Sequence, residues 1–290
     1  VVAIMAIWDE ALTLPMSLES TKHFVTEYIV VHKLGTDNTS EVLRACAVKW
    51  GLRVRYFVSN MTLRAARQFS VDITRHYAQI YVIQDGDEVF YSGGPTAIQR
   101  SLAYLRHGEF ECIASKMVYL KHDLRKALND GYKPRGEGKW GGHPNNGIML
   151  IPHLTIMVNR EGVITVPANT KRDLPDCNGN TVILHDPWKF DVSIKNPLRE
   201  LLRQSFYDWT AAGSPGTIEE WAARTPGYHS DAVKAGVSHS LQQSAEQYVA
   251  GIIRDNLAEY SEEEWFRYPE AIRRYIDAGR YRGHEGPEVL

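Results

Sequence analysis

The sequence predicts an α/β protein: a Rossmann-like, mostly parallel sheet with helices on both faces, followed by a helical C-terminal appendage. Strand-like and helix-like segments alternate through residues 1–90, the pattern of repeated βα units whose sheet is covered on both sides. The apolar run at 80–83 has the β-branched and aromatic composition of a buried strand. The Gly-Ser-Pro-Gly stretch at 213–216 then divides a main domain, 1–212, from a tail, 213–290, whose composition turns helical, acidic and aromatic.

In chain order, residues 1–7 read as the first strand and a helical stretch starts near Leu14. Segment 27–31 reads as a strand, 39–50 as a helix, 53–58 as a strand, 63–77 as a helix and 80–83 as a strand. A helix is expected over 95–106, and a strand over 110–120 running into a helical 121–128. Residues 129–146 are rich in glycine, proline and basic side chains, the composition of a loop that covers substrate. Strands are expected at 148–158 and 163–166. Thr217-x-x-Glu220 and Ser261-x-x-Glu264 are capping-box patterns that announce helices in the tail.

With 290 residues, 43% of them in the hydrophobic set, the chain can build one large domain or a domain with an appendage. A net charge of −2 offers no global basic field for nucleic acid or an anionic membrane, although a local basic groove stays open. Cys46, Cys112 and Cys177 are odd in number and lack metal-type spacing, so no disulfide framework is expected and a reducing, cytoplasmic setting fits. No apolar run approaches a membrane span, and the opening segment lacks the basic flank and cleavage pattern of a leader. A soluble protein is expected.

The chemistry concentrates where strand 80–83 ends in Gln84-Asp85-Gly86-Asp87-Glu88. In an extended segment, side chains two residues apart point the same way, so Asp85 and Asp87 are expected to face one point. Adjacent anions repel unless a cation joins them, and an oxygen-only set suits Mg²⁺ or Mn²⁺. Ligands of parallel sheets bind beyond the carboxyl ends of the strands. Asp9, His32, Asp37 and the 85–88 acids are all expected on that rim.

In combination these residues resemble the GT-A glycosyltransferases, in particular the large family two of inverting nucleotide-sugar transferases, from residue 1 to about 209. Asp9-Glu10 stands at the family's Asn-Glu, and Thr36-Asp37-Asn38-Thr39 keeps the end of its Gly-Ser-Thr-Asp-x-Thr. His32 stands where the family has the Asp that usually meets the nucleotide base. Arg67, in Arg64-Ala65-Ala66-Arg67-Gln68, matches an Arg near the donor diphosphate, and a guanidinium fork suits that group. Asp85-Gly86-Asp87-Glu88 matches the family's metal-binding Asp-x-Asp followed by Glu. His185, in Ile183-Leu184-His185-Asp186-Pro187-Trp188-Lys189, is the candidate for a late His that completes the metal shell from a strand end. Lys195, Arg199 and Arg203 recur at helical spacing as a possible basic face.

The resemblance implies a metal-dependent transferase of the hexosyltransferase class. It would use Mn²⁺ or Mg²⁺ and move a sugar from a nucleotide-diphosphate sugar, a UDP-sugar foremost, to an acceptor hydroxyl with inversion. Asp9, Glu10, His32, Asp37, Arg67 and Asp85 would bind the donor, and Asp85, Asp87 and His185 the metal. Asp123, expected at a helix start, and Glu137, in the 129–146 loop, are the two candidates for the base that deprotonates the acceptor. The alternatives are a nucleotidyltransferase of similar topology and a sugar-nucleotide or glycan binding module without turnover. The acceptor stays open among a saccharide, a protein, a lipid carrier and a modified nucleobase in DNA; Lys133, Arg135, Lys139 and His143 are the loop residues that would hold a polyanion. The tail aromatics Trp221, Tyr248, Tyr260, Trp265, Phe266, Tyr268 and Tyr275 are expected mainly as core or as a homo-oligomer contact, with stacking on sugars or bases as the alternative.

Overall fold

In the computed structural model the described residues are 1–91 except 34 and 36, then 112–128, 150–158, 181–194, 197, 198, 200–202, 205, 209, 212–224, 241–243, 245, 246, 250, 257–263 and 267–280. Through the first half, β1 (Val2–Ile7), α1 (Leu14–Thr21), β2 (Glu27–His32), α2 (Thr39–Trp50), β3 (Val54–Val58), α3 (Leu63–Asp72) and β4 (Ile80–Ile83) alternate as expected. β5 (Glu88–Phe90), β6 (Cys112–Lys121), β7 (Lys126–Leu128), β8 (Leu150–Val158) and β9 (Thr181–Ser193) follow. The tail contributes α4 (Ile218–Arg224), β10 (Leu257–Glu259) and α5 (Glu270–Asp277).

The ten strands among the described residues join one sheet, in the order β10-β7-β6-β8-β4-β1-β2-β3, with β9 bridging β5 and β6. The half formed by β3, β2, β1 and β4 is parallel throughout. Beyond β4 the sheet becomes mixed: β8 runs antiparallel to both β4 and β6, and β9 runs parallel to β6. Two reversals restore direction, so β6 and β9 point the same way as β4. The carboxyl ends of β1, β2, β3, β4, β6 and β9 therefore emerge on one rim.

The near-continuous apolar strands follow from burial on both faces. In β1, Ala3, Met5 and Ile7 pack into one core layer with Leu14, Leu18, Val42 and Leu43, while Val2 and Ile4 pack into the other with Ile29, Val71 and Tyr81. Each fully buried Ile or Leu of these layers contributes about 2–3 kcal/mol. A third layer joins Val118, Leu120 and Phe190 to Met16 of α1 and to Tyr260, Tyr268 and Tyr275.

The tail differs from a purely helical appendage, because β10 pairs with β7 and extends the sheet. Its Tyr260 and Tyr268 pack against Phe190, and the Tyr268 hydroxyl donates to the Leu124 carbonyl at 2.8 Å. Segment 121–128 is not helical as expected: it is the end of β6, a turn and β7. Its residues are good helix formers, but His122 adopts a left-handed φ of 63° and Ala127 pairs with Leu120 and with Ala258. Tertiary pairing overrides the local preference. The Thr217 box forms as read, with the Thr217 amide donating to Glu220 and the Glu220 amide to Thr217, both at 3.2 Å. The expected elements at 95–106 and 163–166, the loop 129–146 and Glu264 lie outside the described residues.

Candidate functional site

The acids after β4 sit on a turn, not on an extended segment: the Glu88 amide donates back to the Asp85 carbonyl at 3.1 Å. Asp85 and Asp87 therefore do not share a strand face as expected; they lie on either side of Gly86 in the turn. A Cβ on Gly86 would lie 2.2 Å from Glu10 Oε2, so the second acid of the β1 end packs directly onto this turn. Ser17 of α1 donates to the Asp85 carbonyl at 3.0 Å, and Gln84 donates to the Glu88 carbonyl at 3.3 Å.

Two buried cations meet the turn. Arg67, on α3, directs Nη2 at both oxygens of Asp85, at 2.8 and 2.7 Å. Burial works against the guanidinium charge, and the carboxylates, Asp85 first and then Glu88 and Asp87, outweigh it. Lys189, on β9, donates to Glu88 Oε2 and to the Ile83 carbonyl, each at 2.8 Å. Burial raises the Glu88 carboxyl and lowers the Lys189 ammonium, each against the attraction of the other.

At the ends of β1 and β2 the polar groups are knitted together. Asp37 accepts from the Ala11 amide at 3.0 Å with Oδ2, and from the Thr39 amide at 3.0 Å and the Thr39 hydroxyl at 2.5 Å with Oδ1. The Thr39 hydroxyl accepts from the Glu10 amide at 2.8 Å. Asp37 is thus the clamp that joins the β1 end to α2. Asp9 holds a left-handed φ of 51° and its carboxylate lies where a Cβ on Gly35 would be, 1.5 Å from Oδ1. His32 is buried, with Nδ1 2.6 Å from the Tyr56 hydroxyl and a buried Nε2 that has no hydrogen-bond partner. Burial holds its imidazole below the ordinary value, although Asp37, Asp9 and Glu41 pull the other way. Lys33 stacks its ammonium 3.8 Å from the Trp8 ring centre on the same rim.

Further along the rim stands Asp123, in the β6–β7 turn and not at a helix start. It accepts from the Arg125 amide at 2.8 Å and from the Arg125 side chain at 3.2 and 3.1 Å. The Val192 amide donates to the Asp87 carbonyl at 2.6 Å and the His122 amide to the Ser193 carbonyl at 3.2 Å. Neighbouring residues of β9 thereby connect the acidic turn to the Asp123 turn. Behind them, Lys121 and the buried Glu200 pair at 2.7 Å.

The structure brings Asp9, Glu10, His32, Asp37, Arg67, Asp85, Asp87 and Asp123 to one rim. His185 falls inside β9, where the β6 register shifts, and not at a strand end; its side chain lies outside the described residues. Glu137, Lys133, Arg135, Lys139, His143, Lys195, Arg199 and Arg203 also lie outside them. Among the described residues, no group of three or more His, Cys, Asp or Glu is arranged to hold a metal ion. Sequence reading missed Lys189 as the partner of Glu88 and Tyr56 as the partner of His32. A lysine inside an otherwise strand-like run was the available signal for the first; the second had none, since β2 and β3 meet only in the folded sheet.

No protein-family model and no curated protein matches the chain. Among solved structures it is similar to S. aureus TarS, at 11% identity and a TM-score of 0.42, over 87% of this chain and 42% of that one. The chain thus spans about two fifths of the length of that structure. It is also similar to the 4-diphosphocytidyl-2C-methyl-D-erythritol synthase of Anaerococcus prevotii, at 12% identity and a TM-score of 0.39, over 64% of this chain and 88% of that one. A cytidylyltransferase of Leptospira borgpetersenii is 13% identical with a TM-score of 0.37, over 88% and 94% of the two chains. At these scores the likenesses add nothing to what the strand order itself shows, a mixed α/β fold with a parallel, Rossmann-like half. Among the described residues no helix is long and apolar enough to cross a membrane.

Proposed function

We propose that the chain is a metal-dependent glycosyltransferase that moves a sugar from a nucleotide-diphosphate sugar to an acceptor hydroxyl. The observation that carries the reading is the placement of Asp9, Glu10, Asp85, Asp87 and Asp123 after strands whose carboxyl ends share one rim, where ligands of such sheets bind. The donor set is all oxygen, which fits Mg²⁺ or Mn²⁺. Ions of this kind are commonly held by one or two carboxylates and take further ligands from water and substrate phosphate, so a cage of three protein ligands is not required. Asp87 would be the principal ligand, as the resemblance implies, with Asp85 held in place beside it by Arg67. When bound, the ion would neutralise charge on the departing diphosphate.

The chain's own groups do the rest. Arg67 orients Asp85 and adds positive charge beneath the turn. His32 presents a buried imidazole edge at the end of β2, where the donor's base would be read. Asp123, held by Arg125, and Glu137 are the two candidates for the base that takes the acceptor proton.

Thermal unfolding of the wild type and Asp87→Ala against UDP-, GDP-, CDP- and dTDP-sugars, with and without Mn²⁺, tests the reading. Stabilisation by one nucleotide class that needs both metal and Asp87 is expected. No response to any nucleotide would remove the donor site. Product analysis separates the chemistries: glycosyl transfer or hydrolysis releases nucleoside diphosphate, whereas a nucleotidyltransferase would use a nucleoside triphosphate and release pyrophosphate.

A further inference from the structure

Lys189 is a fully buried lysine that lies 101 residues along the chain from the acid it faces. Its ammonium joins the Ile83 carbonyl, where β4 ends, to Glu88 Oε2, where β5 begins. That Glu88 oxygen also accepts from the Asp85 amide at 3.2 Å. On the far side of the turn, β9 pairs Asp191 with Glu88 and directs the Val192 amide at the Asp87 carbonyl. One strand therefore grips the acidic turn before it, within it and after it. Ser17 and Gln84 hold two of its carbonyls, but neither brings charge to Glu88.

A buried ion pair is a weak source of stability, because desolvating both groups offsets most of their attraction and an apolar pair of similar volume serves as well. An apolar pair cannot, however, tie the Ile83 carbonyl, Glu88 and the Asp85 amide to one point. Resting on the reading that the turn meets a nucleotide's phosphates, we propose that Lys189 is a positioning residue that sets where Asp85 and Asp87 stand on the rim. It acts through Glu88 and the Ile83 carbonyl and touches no substrate.

The test compares the whole chain as wild type, Lys189→Met, and Lys189→Met with Glu88→Leu. Thermal unfolding, calorimetric binding of UDP and GDP with Mn²⁺, and hydrogen exchange over residues 84–91 are measured on each. Lys189→Met alone is expected to destabilise, since it strands Glu88. The double variant is expected to regain part of the midpoint lost in Lys189→Met, because no charge is stranded although the Ile83 carbonyl and the Asp85 amide lose these partners. It is nonetheless expected to bind nucleotide with Mn²⁺ about 10–100-fold more weakly than the wild type, the range for lost outer-sphere support, and to exchange faster over 84–91. Wild-type affinity and exchange in that double variant overturn the proposal, leaving Lys189 as a charge balancer.

A second pair, Lys189→Gln with Glu88→Gln, keeps a neutral hydrogen bond and guards against a core that fails to repack. It is expected to recover most of the affinity, and equal recovery in both double variants also overturns the proposal. Should the wild type bind neither nucleotide, the donor reading fails by itself. Exchange over 84–91 then decides the role of Lys189: faster exchange in the Met/Leu pair supports it and unchanged exchange overturns it.

Discussion

Arg67 points a single guanidinium nitrogen between the two oxygens of Asp85, 2.8 and 2.7 Å away, from a side chain that is almost wholly buried. The leading acid of the motif is thus committed to an internal partner before any ligand arrives. Removing the cation leaves Asp85 without its ion-pair partner beside Glu88 and Asp87, with Lys189 still supplying positive charge to the turn. Arg67→Ala is expected to destabilise by about 3 kcal/mol, the lower end for breaking a buried pair because Asp85 keeps some contact with water. Urea unfolding measures it, and a loss indistinguishable from zero would mean that water replaces the guanidinium without penalty.

Gly35 and Asp9 make a second close relationship. A Cβ at Gly35 would stand 1.5 Å from Asp9 Oδ1, and the obstructing atom is the end of a side chain that can swing away. Gly35→Ala is therefore expected to move the Asp9 carboxylate more than it unfolds the protein. Nucleotide binding should fall several-fold while the unfolding midpoint changes little; the reverse pattern would show that Asp9 serves the fold and not the ligand.

Thr39 joins the β1 end to α2 by donating to Asp37 and accepting from the Glu10 amide. Thr39→Val keeps the shape and deletes both bonds, leaving the Glu10 amide without this partner. A loss of about 1–3 kcal/mol is expected, read by chemical denaturation, together with faster exchange at the Glu10 amide.

His122 supplies a pH signature. Burial holds its imidazole at about 4, below the ordinary 6.5; Lys121 adds to the shift and Glu200 opposes it. Between those values the unfolded chain binds a proton that the folded chain refuses. The stability from this neutral histidine is full above about pH 6.5 and is lost as the pH falls through about 4, a change of at most about 3 kcal/mol. His122→Asn suits the left-handed backbone and should flatten the stability profile between pH 6.5 and 4. A profile with unchanged slope would place the acid sensitivity elsewhere.

The parallel half of the fold was legible in the residues themselves. Apolar runs on β1, β2 and β4 mark strands covered on both faces, and the intervening amphipathic segments mark the covering helices. The same reading placed Asp9, His32, Asp37 and the 85–88 acids on the rim, because ligands collect at strand ends and those residues stand at or just after strands; Arg67, inside α3, was singled out only by the family resemblance. Only the tertiary structure decided how the acids are used. Whether Asp85 meets a ligand or Arg67, and whether Glu88 faces water or Lys189, depends on side chains brought together from α3 and β9. The pairing of β7 with β10 likewise turned a helix-forming stretch into a strand, because hydrogen bonds to a distant segment outweigh a preference of a few tenths of a kcal/mol per residue. Local pattern is written in neighbouring residues; charge pairing and strand partnership are written in the folded sheet.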